Sequence, residues 1–478
     1  MARKTDAVAN ALARIKKAKV DGVNFRFTDL MGTWHQVTVP VSNVNAGTFK
    51  YGVGFDGSSV KGFTHMKSGD LSLIPDPDAS YLDGFGGVNN MTFICYIAEA
   101  NTKEYFRRDP RHICEKAFAY LKKSGIADQA LLIPELEFNL FDSVTLIGPP
   151  HGHGYFVEST EAGIGPDTIE KELPHVGSRS GYHTVPPVDS FMKVRARMVE
   201  EIERAGIPVK YSHHEVGSAG QCEIELRWVD FALCGDHVML ARYIIKNVAA
   251  EHGLVATFIP KILRDQPGNG LHVHQCLWKG GKNLFFKKGG YGNISQLGLY
   301  YIGGILKHGK ALMALACPST NSYRRLVPGY EAPTCFFFSI GNRSAAIRIP
   351  MDITRPDIAR IEYRPSDATA NIYLSLSAML MAGLDGIRNK IDPVKAGYGP
   401  LDVDITGLAE MEACGMEPVP YSLPEALEGL KSDHDFLLEG GVFSDDVIGA
   451  WIDAKYKSEV LPISRLPHPH EIELYLDC

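Results

Sequence analysis

The sequence predicts an α+β fold made of a small first unit and a larger second one. Two observations lead there. The chain has 478 residues, too many for one small core, which gives two to three domains or one large domain with an appendage. Along it, short apolar runs of strand composition are interleaved with segments of helical period. The boundary is expected near residue 108, dividing 1–108 from 109–478.

Composition narrows the function. Hydrophobic residues make up 45% and charged residues 22%, ordinary for a soluble globular protein. Net charge is −7 with no long basic run, which argues against nucleic acid as a partner. No apolar run reaches membrane-spanning length, so no membrane partner is expected. Residues 1–25 lack the apolar core of a signal peptide and read as a short amphipathic helix leading into a strand; a basic targeting helix is the weaker alternative. The nine cysteines are scattered without a CxxC pair, favouring reduced thiols and a cytoplasmic location over disulfides or a zinc knuckle.

Taken in order, residues 6–18 have helical spacing. VNFRFTDLMGTWHQVTVP predicts a hairpin turning at Met31-Gly32. GVGFDGSSVKGF, with glycines at 52, 54, 57 and 62, predicts a loop, and its Asp56 either caps a local turn or offers a reactive carboxylate. Residues 92–99 predict a strand and Arg111–Ser124 a helix. LLIPELEFNLF predicts a strand on which Glu135 and Glu137 share a face, about 7 Å apart at Cα. Such a pair is either exposed or, facing a core, protonated or bridged by a cation, because buried like charges repel. Residues 145–187 read as a long Gly/Pro-rich loop ending in an Asp-Ser cap for a helix over Phe191–Ala205.

YSHHEVGSAGQCEIELRW predicts a turn that brings Glu215 toward Glu223, with His213 and His214 as ligands or support. A helix is expected at 232–252 and another at 295–317. In GNGLHVHQCLW, His272 and His274 have strand spacing. Residues 370–391 predict a buried helix, 390–425 a surface connection, and the last segment, SRLPHPHEIELYLDC, a piece whose apolar residues pack on another subunit.

Between these lies the densest chemistry. Asn321–Arg364 holds seven arginines (324, 325, 343, 348, 355, 360 and 364) with Glu331 and Glu362 among apolar residues. A buried guanidinium is costly unless it is paired or holds an anion, and its fork fits phosphate and carboxylate. The alternative is a set of structural salt bridges. Glu135, Glu137, Glu215, Glu223, Glu362 and His272 together suit Mg²⁺ or Mn²⁺, two or more ions. Metals and arginines are what a triphosphate needs, yet GxxxxGK[ST] is absent and no kinase signature occurs. The residues alone therefore give a metal-dependent enzyme handling phosphate and an acidic substrate.

FDGSS, PELEF, HHEV, AGQCE, GNGLHVH, NSYRRLVPGYEAP, NRSAAIRIP, RIEYR and PHPHEIELY, in this order over most of the length, resemble glutamine synthetases of the bacterial type I class. The resemblance implies a small β-grasp-like domain and a large catalytic domain on a curved antiparallel sheet flanked by helices. It implies ligation of ammonium to the γ-carboxylate of glutamate through γ-glutamyl phosphate, with ATP as substrate. Glu137, Glu215 and Glu223 would bind one metal, and Glu135, His272 and Glu362 another. Arg325 and Gly268 would place glutamate, while Arg343, Arg348 and Arg364 would hold phosphates. Trp228, His274, Cys276 and Arg355 would lie on the nucleotide side. Asp56 would bind ammonium, Glu331 would close the site as a flap, and Ser59 and Tyr182 would lie nearby. The assembly implied is a dodecamer of two stacked hexamers with sites shared between adjacent subunits.

Two departures stand out. Gln266-Pro267-Gly268-Asn269-Gly270 replaces the common Asn-Gly-Ser-Gly, so a substrate contact from Asn requires Asn269 as substitute. Asp402 stands where adenylylated relatives carry Tyr, which implies no control by that modification. The runner-up activities are γ-glutamyl ligation to another amine and a non-catalytic relative.

Overall fold

The computed structural model describes residues 2–63, 69–148, 152–163, 175–403, 405, 407–413 and 415–478. The chain opens with helix α1 (Ala2–Ala18), which buries Ala11 and Ile15. Five strands follow: β1 (Gly22–Thr28), β2 (Trp34–Pro40), β3 (Val53–Asp56), β4 (Asp70–Asp83) and β5 (Asn90–Glu99), ordered β2-β1-β5-β4-β3. β1 is buried at every residue because it lies between β2 and the parallel β5. The predicted hairpin forms with Gly22 opposite Pro40 and Thr28 opposite Trp34. Its Gly32 has φ +89°, and a Cβ there would stand 2.9 Å from the Asn371 Cα, so the turn touches the second unit directly.

The glycine-rich loop is in part a strand. Residues 53–56 of the predicted glycine loop are β3, paired with Asp70–Leu73 of β4. β4 itself was not anticipated, because Pro75 and Pro77 argue against a strand; the ladder with β5 breaks its register between Pro75 and Ser80, where the prolines fall.

After α3 (Pro110–Ser124) the second sheet begins. Its strands are β6 (Gln129–Phe141), β9 (Val209–His214), β10 (Gln221–Leu226), β11 (Val229–Asp230), β12 (Val255–Thr257), β13 (Leu271–Lys279), β14 (Lys282–Asn283), β15 (Cys335–Ile340), β16 (Ala345–Ile349) and β17 (Ile361–Tyr363). The main path is β15-β16-β17-β13-β6-β10-β9, and the β6–β13 and β6–β10 pairs are antiparallel. Separately, β7 (Ser143–Ile147) and β8 (Gly154–Glu158) form a hairpin inside the stretch expected to be loop; residues 149–151 and 164–174 of that stretch lie outside the described residues.

Helices cover the apolar face of the sheet. α5 (Phe231–Glu251) and α9 (Ile372–Arg388) are buried along most of their length, as an apolar helix without a polar face must be. Asn371 caps α9 and also donates to the Asp29 and Leu30 carbonyls at 3.1 and 3.0 Å, tying the hairpin turn to this core. α4 (Met192–Arg204) lacks the predicted cap. Asp189 is buried and pairs with Arg195 at 2.6 Å, while Ser190 donates to Glu161.

The single helix expected at 295–317 is two, α6 (Gln296–Lys307) and α7 (Gly309–Ala316). They part at His308, held between Asp385 at 3.0 Å and Asp433 at 2.8 Å. The connection at 390–425 is not wholly superficial, since Ile405 packs against Phe337 and Ala345. The last segment is exposed, including Leu466, Ile472, Leu474, Tyr475 and Leu476. Among the described residues no helix is long and apolar enough to cross a membrane.

Candidate functional site

Strand alternation builds the site. On β6, Leu136, Phe138 and Leu140 point into the core with no exposure, which sends Glu135 and Glu137 to the other face. On β10, Cys222, Ile224 and Leu226 do the same, so Glu223 faces Glu137 across the ladder. On β13, Leu271 and Val273 are buried, and His272 stands opposite Glu135. β17 then brings Glu362 opposite His274, and β16 brings Arg348 opposite Glu362. Residues 227 apart in sequence, Glu135 and Glu362, thereby meet in one cleft of about 240 Å³.

Two acidic groupings line it. Ligand atoms of Glu135, His272 and Glu362 lie within 4.8 Å of one another, the trio expected from the sequence. In the second grouping, Glu215 and Glu223 are joined by His213 within the same span. Glu137, expected there, accepts from the Gly270 amide at 2.6 Å and stands 3.5 Å from His272 Nδ1. His214 is a support group, buried against Glu161 at 3.1 Å.

The electrostatics call for a cation. Burial, then the neighbouring Glu137, pushes the Glu215 carboxyl up to about 8. Burial, then Glu135 and Glu137, raises Glu223 as well. Carboxylates crowded this way ionise together when a divalent ion bridges them, and the oxygen-rich donor set fits a hard ion.

Arginines form the facing wall. Glu362, 1% exposed, sits between Arg348 at 2.6 Å and Arg364. Burial would raise its carboxyl, but Arg364, His274 and Arg348 outweigh that and hold it at about 2. Arg343 and Arg348 are five residues apart, which on an uninterrupted strand would set them on opposite faces; a turn removes the conflict, since Gly341 has φ +67°, Arg343 precedes β16, and both side chains reach the cleft. Arg343 pairs with Glu331 at 2.8 Å. Glu331 has φ +54°, and its carbonyl accepts from Arg364 at 3.0 Å, which holds this loop over the cleft. Arg325 is buried, one amino group clasped by the carbonyls of Arg364, Pro365 and Ser366.

Other expected residues divide. Tyr182 and Gly268 line the cleft. His274 lies beneath it, Nε2 2.7 Å from Glu135. Trp228 packs on the core, Cys276 is buried, and Arg355 is exposed beside Asp357 at 3.0 Å; none of these three lines the cleft. Asp56 and Ser59 are exposed and outside it too. There Asp56 accepts from Ser58 and Ser59 hydroxyls at 2.7 Å, which lowers its pKa. Asn269 does not substitute for the missing Asn: it is 1% exposed and committed to Asn139, Ile259 and Gln221.

One residue escaped the sequence reading. Glu225 is directly opposite Glu135, with Glu223 and Glu225 repeating the two-residue spacing of Glu135 and Glu137.

Known proteins are similar to this chain over nearly its whole length. Residues 107–475 match the glutamine synthetase catalytic domain and residues 19–100 the glutamine synthetase beta-Grasp domain. The chain is 42% identical to glutamine synthetase of a Nostoc species and 43% identical to that of Frankia alni, with 98% of each chain covered in both cases. Its fold matches the cryo-EM structure of Plasmodium falciparum glutamine synthetase with a TM-score of 0.88 and 28% identity, covering 98% of both chains. The five-stranded and ten-stranded sheets, a carboxylate-lined cleft and these full-length similarities agree: the chain belongs to the glutamine synthetase family.

Proposed function

We propose that the cleft joins ammonium to the γ-carboxylate of L-glutamate, using ATP and passing through γ-glutamyl phosphate to L-glutamine, ADP and phosphate. The observation that carries this reading is Glu362, which belongs at once to the acidic cluster and to the arginine wall. A free carboxylate is a poor acyl donor because oxide is a poor leaving group; phosphorylation supplies a better one.

Arg325 and Gly268 place glutamate, and Arg343, Arg348 and Arg364 hold the phosphates. Glu331 covers the acyl phosphate against water and takes a proton from the adduct. Glu135, His272 and Glu362 would hold one divalent ion, and Glu215 and Glu223, with Glu137 and His213 beside them, another, Mg²⁺ or Mn²⁺. Such ions, when bound, offset the repulsion between two anionic substrates.

ADP release measured against different amines tests the assignment. Ammonium is expected to surpass methylamine by at least ~10-fold in kcat/KM, and chelation to abolish turnover until Mg²⁺ or Mn²⁺ returns. A preference for the organic amine would move the assignment to another γ-glutamyl ligase, and no metal-dependent turnover at all would favour a non-catalytic relative.

The site is completed by a second copy, whose Asp56 binds ammonium and favours its deprotonation, in a dodecamer of two hexamers. The exposure of Asp56 and Ser59 outside their own cleft supports this. We also set the domain division at residue 108, between the end of β5 and the start of α3. A monomer in light scattering at assay concentration would sink the shared site.

A further inference from the structure

The loop that carries Glu331 is fastened from two directions. Toward the cleft, Glu331 pairs with Arg343 and gives its carbonyl to Arg364. Both arginines hold phosphates in the reading above, and a guanidinium turned toward a phosphate has fewer donors left for another oxygen. That grip weakens at the stage when an acyl phosphate needs cover. The other fastening uses neither arginine. The Tyr330 ring meets two cations: Lys261 Nζ lies 3.7 Å and the Arg179 guanidinium 4.9 Å from its centroid. Arg179 also donates to the Gly329 carbonyl at 2.5 Å.

These cations are themselves fixed to the rim of the cleft. The Lys261 amide donates to the Asn321 side chain at 2.7 Å, and its carbonyl accepts from the same side chain at 2.9 Å. Its ammonium donates to the Gln266 carbonyl. Gln266 Oε1 accepts from the Ser218 amide at 3.1 Å and the Arg179 amide at 3.4 Å, and its Nε2 donates to the Ser178 hydroxyl at 2.8 Å. The turn between Glu215 and Glu223, the loop at Gln266 and the segment at Arg179 thus form one hydrogen-bonded rim onto which Tyr330 docks. Arg179 holds φ +56° and Glu331 φ +54°, a conformation that residues other than glycine keep only where contacts impose it. Burial, partly offset by Asp265, pushes the Lys261 ammonium down to about 8. A poorly hydrated ammonium gains most from an aromatic face.

We propose that Tyr330 is a positioning residue: held by Arg179 and Lys261, it keeps the Glu331 loop over the cleft for the lifetime of γ-glutamyl phosphate. This inference rests on the glutamine-forming reading above. Loss of the hold admits water to the intermediate. Water adds to the γ-carbonyl carbon, the C–O bond to phosphate breaks, and glutamate, phosphate and a proton are released, so ADP accumulates without glutamine.

The test measures ADP and glutamine together at saturating ammonium. Wild type is expected to form them in equal amounts. Tyr330→Leu is expected to release at least ~2-fold more ADP than glutamine, because losing both cation–π contacts raises the open fraction of the loop. Arg179→Gln and Lys261→Gln should shift the ratio the same way and less far. Tyr330→Phe keeps the ring face and should stay at parity. A residue that only supported the fold would lower both products together and leave their ratio unchanged. Parity in Tyr330→Leu therefore overturns the proposal, and so does a Tyr330→Phe enzyme as uncoupled as Tyr330→Leu. A wild type that forms no glutamine overturns the glutamine-forming reading and this one with it. Should Tyr330→Leu fail to fold or to turn over, parity in both Arg179→Gln and Lys261→Gln overturns the proposal by itself.

Discussion

Glu362→Gln is expected to lower kcat by roughly 10³-fold or more, the scale of losing a main electrostatic support of the transition state. It is also expected to destabilise the protein by about 3–5 kcal/mol, the usual result of removing one partner from a buried ion pair. Both effects have one origin. Glu362 is 1% exposed and neutralises Arg348 and Arg364, whose side chains are 24% and 7% exposed. The amide keeps the shape and loses the charge, leaving two guanidinium groups close together with no anion between them. Replacing the whole Arg–Glu–Arg set by apolar residues of similar volume would cost the fold far less, since buried ionic triads contribute little net stability. Their retention here is therefore better explained by the cleft than by the fold. Thermal unfolding and steady-state turnover of Glu362→Gln check this. A variant with wild-type melting and turnover would separate Glu362 from both roles.

Sequence periodicity reached much of this site because the site is a sheet face. Two-residue spacing at Glu135/Glu137 and His272/His274 needs only strand alternation to be read. Glu225 carries the same signal, but the Gly-rich turn between Glu215 and Glu223 is the stronger local feature and masks the strand alternation that follows it. Register was out of reach: nothing local to RIEYR says that Glu362 falls opposite His274. β4 was hidden because its prolines occupy a break in the ladder, a compensation that belongs to the partner strand. Asp189 looked like a helix cap, yet a buried Arg195 three residues into α4 took the carboxylate instead. The role of Asn269 was likewise decided by three distant partners. In each case local chemistry named the residue's options, and tertiary contacts chose among them.

Gly268→Ala and Gly270→Ala should damage opposite walls of the cleft, which makes the pair a sharper test than either alone. A Cβ on Gly268 would lie 2.2 Å from the Pro260 carbonyl oxygen and 2.6 Å from Arg325 Cγ. The backbone cannot yield easily, because the Asn269 amide already donates to that carbonyl at 2.8 Å and Gln221 holds the Gly268 carbonyl at 3.0 Å. Arg325 cannot swing aside without leaving its three carbonyl partners. Strain of this kind costs about 1–3 kcal/mol. Its expected signature is a rise of at least ~10-fold in the KM for glutamate, as the carboxylate-binding fork moves, with Mn²⁺ uptake unchanged. On Gly270 the added carbon would instead meet His272 Nε2 at 2.8 Å and stand 3.3 Å from Arg325 Nη1. The imidazole must then rotate away from Glu135, so weaker Mn²⁺ binding should precede any change in glutamate KM. If both substitutions impaired glutamate and metal equally, the loop would be a general support for the cleft. Opposite signatures require that two glycines, two residues apart, each leave room for a different ligand.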